Sequence, residues 1–236
     1  MTKRAVLIIL VGMILLLSPW ISYGDTEKLT ERTLIQTCEL EEITCPDDFV
    51  VEKTEFDDKS TVRSFDISEE GQFVLLLSNS EICVANNSMK ITDCYRIPVD
   101  GYYVLALNDK IYTYDLKQSY ILITDYSGHI VSLYYVPDKC IDTAMKIFGS
   151  THKTYDGENY YLSTSKAKEK KTFFDDSPYP YLIKADRDGK NHVLWDAKET
   201  YYLGLLSVLI FSMAVLVAVT WGFYKNQCGK HDNSDV

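Results

Sequence analysis

The sequence predicts a mainly β domain, built as an antiparallel meander and carried on one C-terminal transmembrane helix. Three observations lead there. Leu203 to Tyr224 is 22 residues without a formal charge, long enough at ~1.5 Å per residue to cross a ~30 Å hydrocarbon layer. Between Gly71 and Pro137 the runs GQFVLLLSN, SEICVANNS, MKITDCYRIP, GYYVLALND, KIYTYDL, SYILITDYSG and HIVSLYYVP follow one another. Each is a strand-length cluster of Val, Ile, Leu or Tyr, separated from the next by polar or glycine turns. Ile82 to Pro98 also aligns without a gap on Ile121 to Pro137, at an offset of 39.

The chain opens on basic MTKR, an apolar run from Ala5 to Leu17, and a break at Pro19 and Trp20. Ser22 and Gly24 then supply small residues ahead of a cut before Asp25, which reads as a signal peptide over 1–24. An uncleaved signal anchor is the alternative, because Ala5 to Tyr23 nearly spans when tilted. Either way residues 25–202 fall outside the cytosol. Lys225 and Lys230 in the tail 225–236, against Lys198 alone at the other end, favour a cytosolic tail. Tyr201, Tyr202, Trp221 and Tyr224 suit the two interfaces. The expectation is a single-pass type I protein of the cell membrane, with its anchor at 203–224.

Residues 25–202 hold 20 basic and 32 acidic side chains, a net charge of −12. That balance gives no footprint for nucleic acid and is repelled by anionic headgroups. Five of the six cysteines, Cys38, Cys45, Cys83, Cys94 and Cys140, lie in this segment, where an oxidising compartment permits disulfides. Residues 25–48 read as a polar, helix-compatible arm, in which a Cys38–Cys45 disulfide would close the short loop CELEEITC. Beyond it, 49–200 reads as the β-rich domain, with no helical period of useful length before the anchor.

The offset of 39 matches Ile82 with Ile121, Ser88 with Ser127, Ile91 with Ile130, Tyr95 with Tyr134 and Pro98 with Pro137. A looser third copy starts at Tyr181, with DGENYYLS at Asp156 in the role of DGYYVLAL at Asp100. Over about residues 65–197 the chain resembles the β-propeller repeats of many extracytoplasmic bacterial proteins, whose blades carry a DGxYY strand opening and an (I/L)xxxDxxG hairpin. The resemblance implies propeller-blade-like units. Three or at most four fit in the chain, at the lower limit of the ~4–8 blades of a closed propeller, so an open meander or a β-sandwich is the alternative. Folding the first hairpin about Asn87 to Lys90 sets Cys83 opposite Cys94, where the second copy has Leu122 and Leu133. Cys83–Cys94 is therefore the expected disulfide, and Cys140 the odd thiol.

Few motifs point to chemistry. Asn86-Asn87-Ser88 is a glycosylation sequon in a predicted turn, used only if the host glycosylates. Asp186-Arg187-Asp188-Gly189-Lys190-Asn191 has the opening spacing of a calcium loop, but Lys190 stands where an oxygen ligand is needed. A plain hairpin turn is the reading, and no metal or cofactor is expected. His129, His152, His192 and His231 are scattered, and no hydrolase, metalloprotease or nucleotide-binding pattern is present. The acidic pairs Glu55 with Asp57 and Asp175 with Asp176 read as solvated loops, so no catalytic residue is assigned and the chain is read as no enzyme. Most tyrosines read as sheet packing, with Tyr126 the better candidate for exposure. In the anchor, Ala214 and Ala218 form a small-xxx-small pair for helix–helix contact, and Ser207, Ser212 and Thr220 could add hydrogen bonds between helices. Cys228 is a palmitoylation candidate, with an ordinary thiol as the alternative. Function then reads as binding or sensing of a protein or glycan outside the cytosol. The alternative is an accessory structural subunit of a membrane complex, as homodimer or hetero-assembly, with a surface hydrolase third.

Overall fold

The computed structural model describes residues 31–57, 59–167, 169 and 178–231; the expected signal peptide at 1–24, Asp175 and Asp176 lie outside them. In chain order, helix α1 (Glu31–Thr37) and two short strands, β1 (Glu41–Ile43) and β2 (Glu52–Lys53), come first. Three four-stranded antiparallel meanders follow. Sheet 1 is β3 (Val62–Ile67), β4 (Phe73–Leu77), β5 (Glu81–Ala85) and β6 (Ile91–Arg96), with β2 paired outside β6. Sheet 2 is β7 (Tyr103–Leu107), β8 (Lys110–Asp115), β9 (Tyr120–Asp125) and β10 (Ile130–Tyr135), with β1 outside β10. A 3-10 turn (Asp138–Cys140) and helix α2 (Ile141–Phe148) lead to sheet 3: β11 (His152–Tyr155), β12 (Glu158–Ser163), β13 (Tyr181–Ala185) and β14 (Asn191–Asp196). The fold is mainly antiparallel β with one C-terminal apolar helix.

The repeat is a repeated hairpin. Cys83 faces Cys94 across β5–β6 and Leu122 faces Leu133 across β9–β10, while in the third hairpin the matching Ile183 faces Val193, one residue short of the same count beside a bulge at Leu182/Ile183. One turn chemistry sets all three. Asn86 Oδ1 accepts the N–H groups of Ser88 and Lys90, Asp125 Oδ1 those of Ser127 and His129, and Asp186 Oδ1 those of Asp188 and Lys190, all at 2.8–3.1 Å. The fourth turn residue has positive φ each time: Met89 (59°), Gly128 (87°) and Gly189 (78°). Such a turn fixes loop length and thereby register.

Two expectations need correction. DGENYYLS is not the counterpart of DGYYVLAL: Asp156 and Gly157 turn β11 into β12, whereas Asp100 and Gly101 precede β7, the first strand of its sheet. A helical period also exists before the anchor. Ile141, Ala144, Met145 and Phe148 recur at helical spacing, and α2 buries Ala144 and Phe148.

Chain order and packing order differ. Val74, Leu76, Ile82, Val84 and Tyr95 on one face of sheet 1 pack with Val104, Ile111, Leu122 and Leu133 of sheet 2. The opposite face, Phe65, Phe73, Leu75, Cys83 and Cys94, packs with Tyr160, Leu162, Leu182 and Trp195 of sheet 3. Val62 and Tyr179 add a β-bridge between sheet 1 and the approach to β13. Sheet 1 is thus the middle layer. On sheet 2, Tyr114 meets Phe148 of α2 with ring centroids 5.6 Å apart.

Helix α3 (Lys198–His231) leaves the domain directly after β14. Its portion Lys198–Trp221 contains an 18-residue stretch of mean hydropathy 2.5, none of it buried, and is long and apolar enough to cross a membrane.

Candidate functional site

An exposed recess lies at the seam of sheets 1 and 3. Trp195 is held there by its Nε1–H, which donates to the Ser60 carbonyl at 2.9 Å. Phe56 lies edge-on to it at 5.5 Å and remains 42% exposed. Met89 and Ile91, from the first repeat hairpin, and Leu194 with Asp196, from β14, complete a cleft of about 470 Å³. Asp196 is occupied: its carboxylate pairs with Lys166 at 2.6 Å and accepts the Lys198 N–H at 3.3 Å, at the start of α3.

This cleft continues toward the membrane helix. Asp196 also lines a second groove of about 440 Å³ with Lys59, Lys198, Glu199 and Leu203. Lys198, Glu199 and Leu203 in turn border a third, with Tyr202 and Leu206. The three grooves thus adjoin through shared residues, from an aromatic and methionine-lined seam to the first turns of α3.

A polar junction joins the first strands of the sheets. Ser64 Oγ and Asp66 Oδ2 on β3 accept the N–H groups of Val104 and Ala106 on β7, at 3.1 and 2.8 Å. Asp66 Oδ1 meets Lys153 of β11 at 3.0 Å. Arg63 donates to Asp100 and to the Gly101 carbonyl at 2.9 and 2.7 Å, while Arg63 and Lys117 both approach the Tyr102 ring. The Lys117 ammonium, then the Arg63 guanidinium, hold the Asp100 carboxyl below its ordinary range. These groups serve as fastening, with the buried Arg63 Nε left without a hydrogen-bond partner. Beyond them Ser68, Glu69, Glu70, Asn108 and Asp109 rim a recess of about 220 Å³, whose three carboxylates sit on exposed turn residues.

The expected site residues divide as follows. Cys83 and Cys94 are bonded, with Cα atoms 4.2 Å apart. Cys38 and Cys45 are not bonded to each other, which corrects that expectation. Strand β1 runs extended between them, and Cys38 is buried while Cys45 is half-buried. Asn86 lies in an exposed turn with its side-chain oxygen engaged by the turn. Asp186 spends one oxygen on that turn chemistry and the other on His192 at 3.2 Å. Among the described residues no three His, Cys, Asp or Glu side chains converge as a metal site. Tyr126 is half-buried rather than exposed, and burial pushes its phenol up to about 12.

Ala214 and Ala218 are exposed one turn apart on α3. Ser207, Ser212 and Thr220 donate to carbonyls of their own helix at 2.7–2.9 Å, so those hydroxyl protons are already committed. Cys228 lies within the span of α3. The sequence reading missed Phe56, Met89 and Trp195. Trp195 was the available signal, as the only tryptophan between residues 25 and 202, placed at the end of a strand-like run.

No protein-family model and no curated protein matches the chain. Among solved structures it is similar to a catalytically inactive virginiamycin B lyase from Staphylococcus aureus solved with quinupristin, at 15% identity and TM-score 0.28, covering 62% of this chain and 45% of that one. A streptogramin B lyase matches at 15% identity and TM-score 0.28, over 61% of this chain and 44% of that one. A Bacteroides caccae protein of unknown function matches at 14% and 0.29, over 58% and 49%. The chain spans under half the length of each. Each likeness is partial, with a TM-score below 0.3. It nevertheless corrects the expectation that the chain is no enzyme, since lyases are among these neighbours. At this identity it assigns no activity.

Proposed function

We propose that this chain is a membrane-anchored binding protein whose β domain stands outside the cytosol and engages a second protein of the same membrane. The observation that carries the reading is the strip of adjoining grooves from Phe56, Met89, Ile91 and Trp195, past Asp196 and Leu203, to Leu206. A soluble ligand would use the cleft alone. A neighbour with its own membrane helix can fill the strip along its length, with apolar side chains above and helix packing below. The Cys83–Cys94 disulfide and the lysines after the anchor support the type I orientation. The charge of −12 on residues 25–202 favours a partner with a basic extracytoplasmic face. Under this reading the organisation is 1–24 signal peptide, 25–200 arm and β domain, 203–224 anchor and 225–236 cytosolic tail.

Photo-cross-linking residues placed singly at Phe56 and Leu206 in the full chain, in its own membrane, test the reading. Both positions should capture one and the same membrane protein, and Val131, 49% exposed on sheet 2, should not. Ile91→Asp should abolish the Phe56 adduct. Capture of different partners from the two positions, or equal capture from Val131, would sink the proposal. A second reading, an accessory subunit of a permanent complex, is favoured by the extension of the strip onto Leu206. It predicts fixed stoichiometry after detergent extraction, where a sensor would exchange its partner.

A further inference from the structure

Two buried thiols stand on segments that are already tied together. Cys38 follows α1, donates its N–H to the Leu34 carbonyl at 3.0 Å and is 0% exposed. Cys140 closes the 3-10 turn before α2 and is 6% exposed. Their sequence neighbours Glu39 and Lys139 form an ion pair, and just beyond, Glu41 of β1 is registered against Tyr135 of β10. Tyr114 lies within the field of Cys38, and its ring meets Phe148 of α2, the helix that Cys140 precedes, in a tilted contact. Burial first, and then the charge of Cys140, push the Cys38 thiol up to about 11. The two thiols, both free in this structure, thus lie within electrostatic range of each other, on segments that the Glu39–Lys139 pair holds together.

We propose that Cys38 and Cys140 form the second disulfide of this protein, leaving Cys45 unpaired. The inference rests on the extracytoplasmic reading. The oxidant is a thiol–disulfide exchange protein of that compartment. One cysteine thiolate attacks its disulfide to give a mixed disulfide, and the other thiolate then displaces it as a dithiol. Each cysteine gives up one proton, and the pair gives up two electrons to the oxidant. The bond fastens the α1–β1 segment to the link between sheets 2 and 3, where the Glu39–Lys139 pair alone is exposed to screening by salt. Because burial keeps Cys38 protonated, closure belongs to the folding chain. In the folded, reduced protein Cys38 should resist alkylation while Cys45 reacts.

The test uses the full chain, with free thiols blocked before membranes are opened and digestion under non-reducing conditions. The expected map shows Cys38 linked to Cys140, Cys83 linked to Cys94, and Cys45 carrying the blocking reagent. Cys45→Ser should leave both links in place. A Cys38–Cys45 or Cys45–Cys140 link overturns the pairing. So does blocked Cys38 and Cys140 beside an intact Cys83–Cys94 bond, which leaves the compartment standing. All five blocked overturns the pairing and the compartment together.

Discussion

Asp66 ties two sheets through a main-chain partner: its Oδ2 accepts the Ala106 N–H at 2.8 Å, from the strand that starts sheet 2. Ser64 repeats the contact two residues earlier with Val104, so β3 satisfies donors on the edge of β7 that a pair of unrelated strands would leave open. The other oxygen of Asp66 takes Lys153 from sheet 3, and one side chain thereby serves all three meanders.

Replacing Asp66 with Ala strands the Ala106 N–H and the Lys153 ammonium together, at an expected cost of about 3 kcal/mol. Asp66→Asn keeps an oxygen for the N–H and should cost about 1–2 kcal/mol. Urea unfolding of the detergent-solubilised chain measures both. Equal losses would mean that the ion pair, not the amide bond, carries the seam.

Acid should loosen the junction at Asp100. Its folded pKa lies below the unfolded value of about 3.9, so its contribution is present above that value and is lost as pH falls through the lower folded pKa. Asp100→Asn should lower the melting temperature at neutral pH and flatten its dependence on pH in that window. An unchanged acid limb would show that Lys117 and Arg63 do not hold the carboxylate in solution.

Gly128 and Gly189 occupy the same turn position with similar φ, 87° and 78°, but in different surroundings. A Cβ on Gly189 meets nothing within 4 Å, whereas one on Gly128 comes to 3.0 Å of Tyr95 and 3.1 Å of Val51. Gly189→Ala should cost about 1 kcal/mol from backbone strain alone. Gly128→Ala adds crowding of a ring in the core, for a total of roughly 2–3 kcal/mol. Thermal melts should rank them in that order.

The repeat also predicts chemistry at a site that has none. Leu122 and Leu133 stand in the register of Cys83 and Cys94, so a Leu122→Cys, Leu133→Cys variant should close a new disulfide when expressed in an oxidising compartment. A non-reducing peptide map that finds these two cysteines joined supports the equivalence of the hairpins. Persistent free thiols would oppose it.

The hairpins were legible because their register is a local matter. Asn86, Asp125 and Asp186 count the turn residues by hydrogen-bonding two of them, and that count places Cys83 on Cys94 without any knowledge of the rest of the chain. Proximity in sequence misled for Cys38 and Cys45, because strand β1 lies between them and no bond joins them, while an ion pair ties Glu39, next to Cys38, to Lys139, next to Cys140. The amphipathic Ile141–Phe148 was hidden among β runs by its brevity, one helical turn beyond the minimum that a period needs to show. The Phe56–Trp195 cleft was not readable at all. It depends on sheet 3 packing on sheet 1 rather than on sheet 2, the sheet that precedes it in the chain.

Strands β1 and β2 have a consequence for solubility. Each is short, carries charge (Glu41 and Glu42; Glu52 and Lys53), and lies along a six-residue outer strand of sheet 2 or sheet 1. They act as end-stops: a template that could recruit another chain is shortened and lined with charge. Among the described residues sheet 3 has no such stop, and β14 closes it with Val193 exposed. When this protein is overproduced away from a membrane, its self-association should therefore begin at one identifiable edge, Asn191–Asp196, and a lysine at Val193 is the substitution to suppress it.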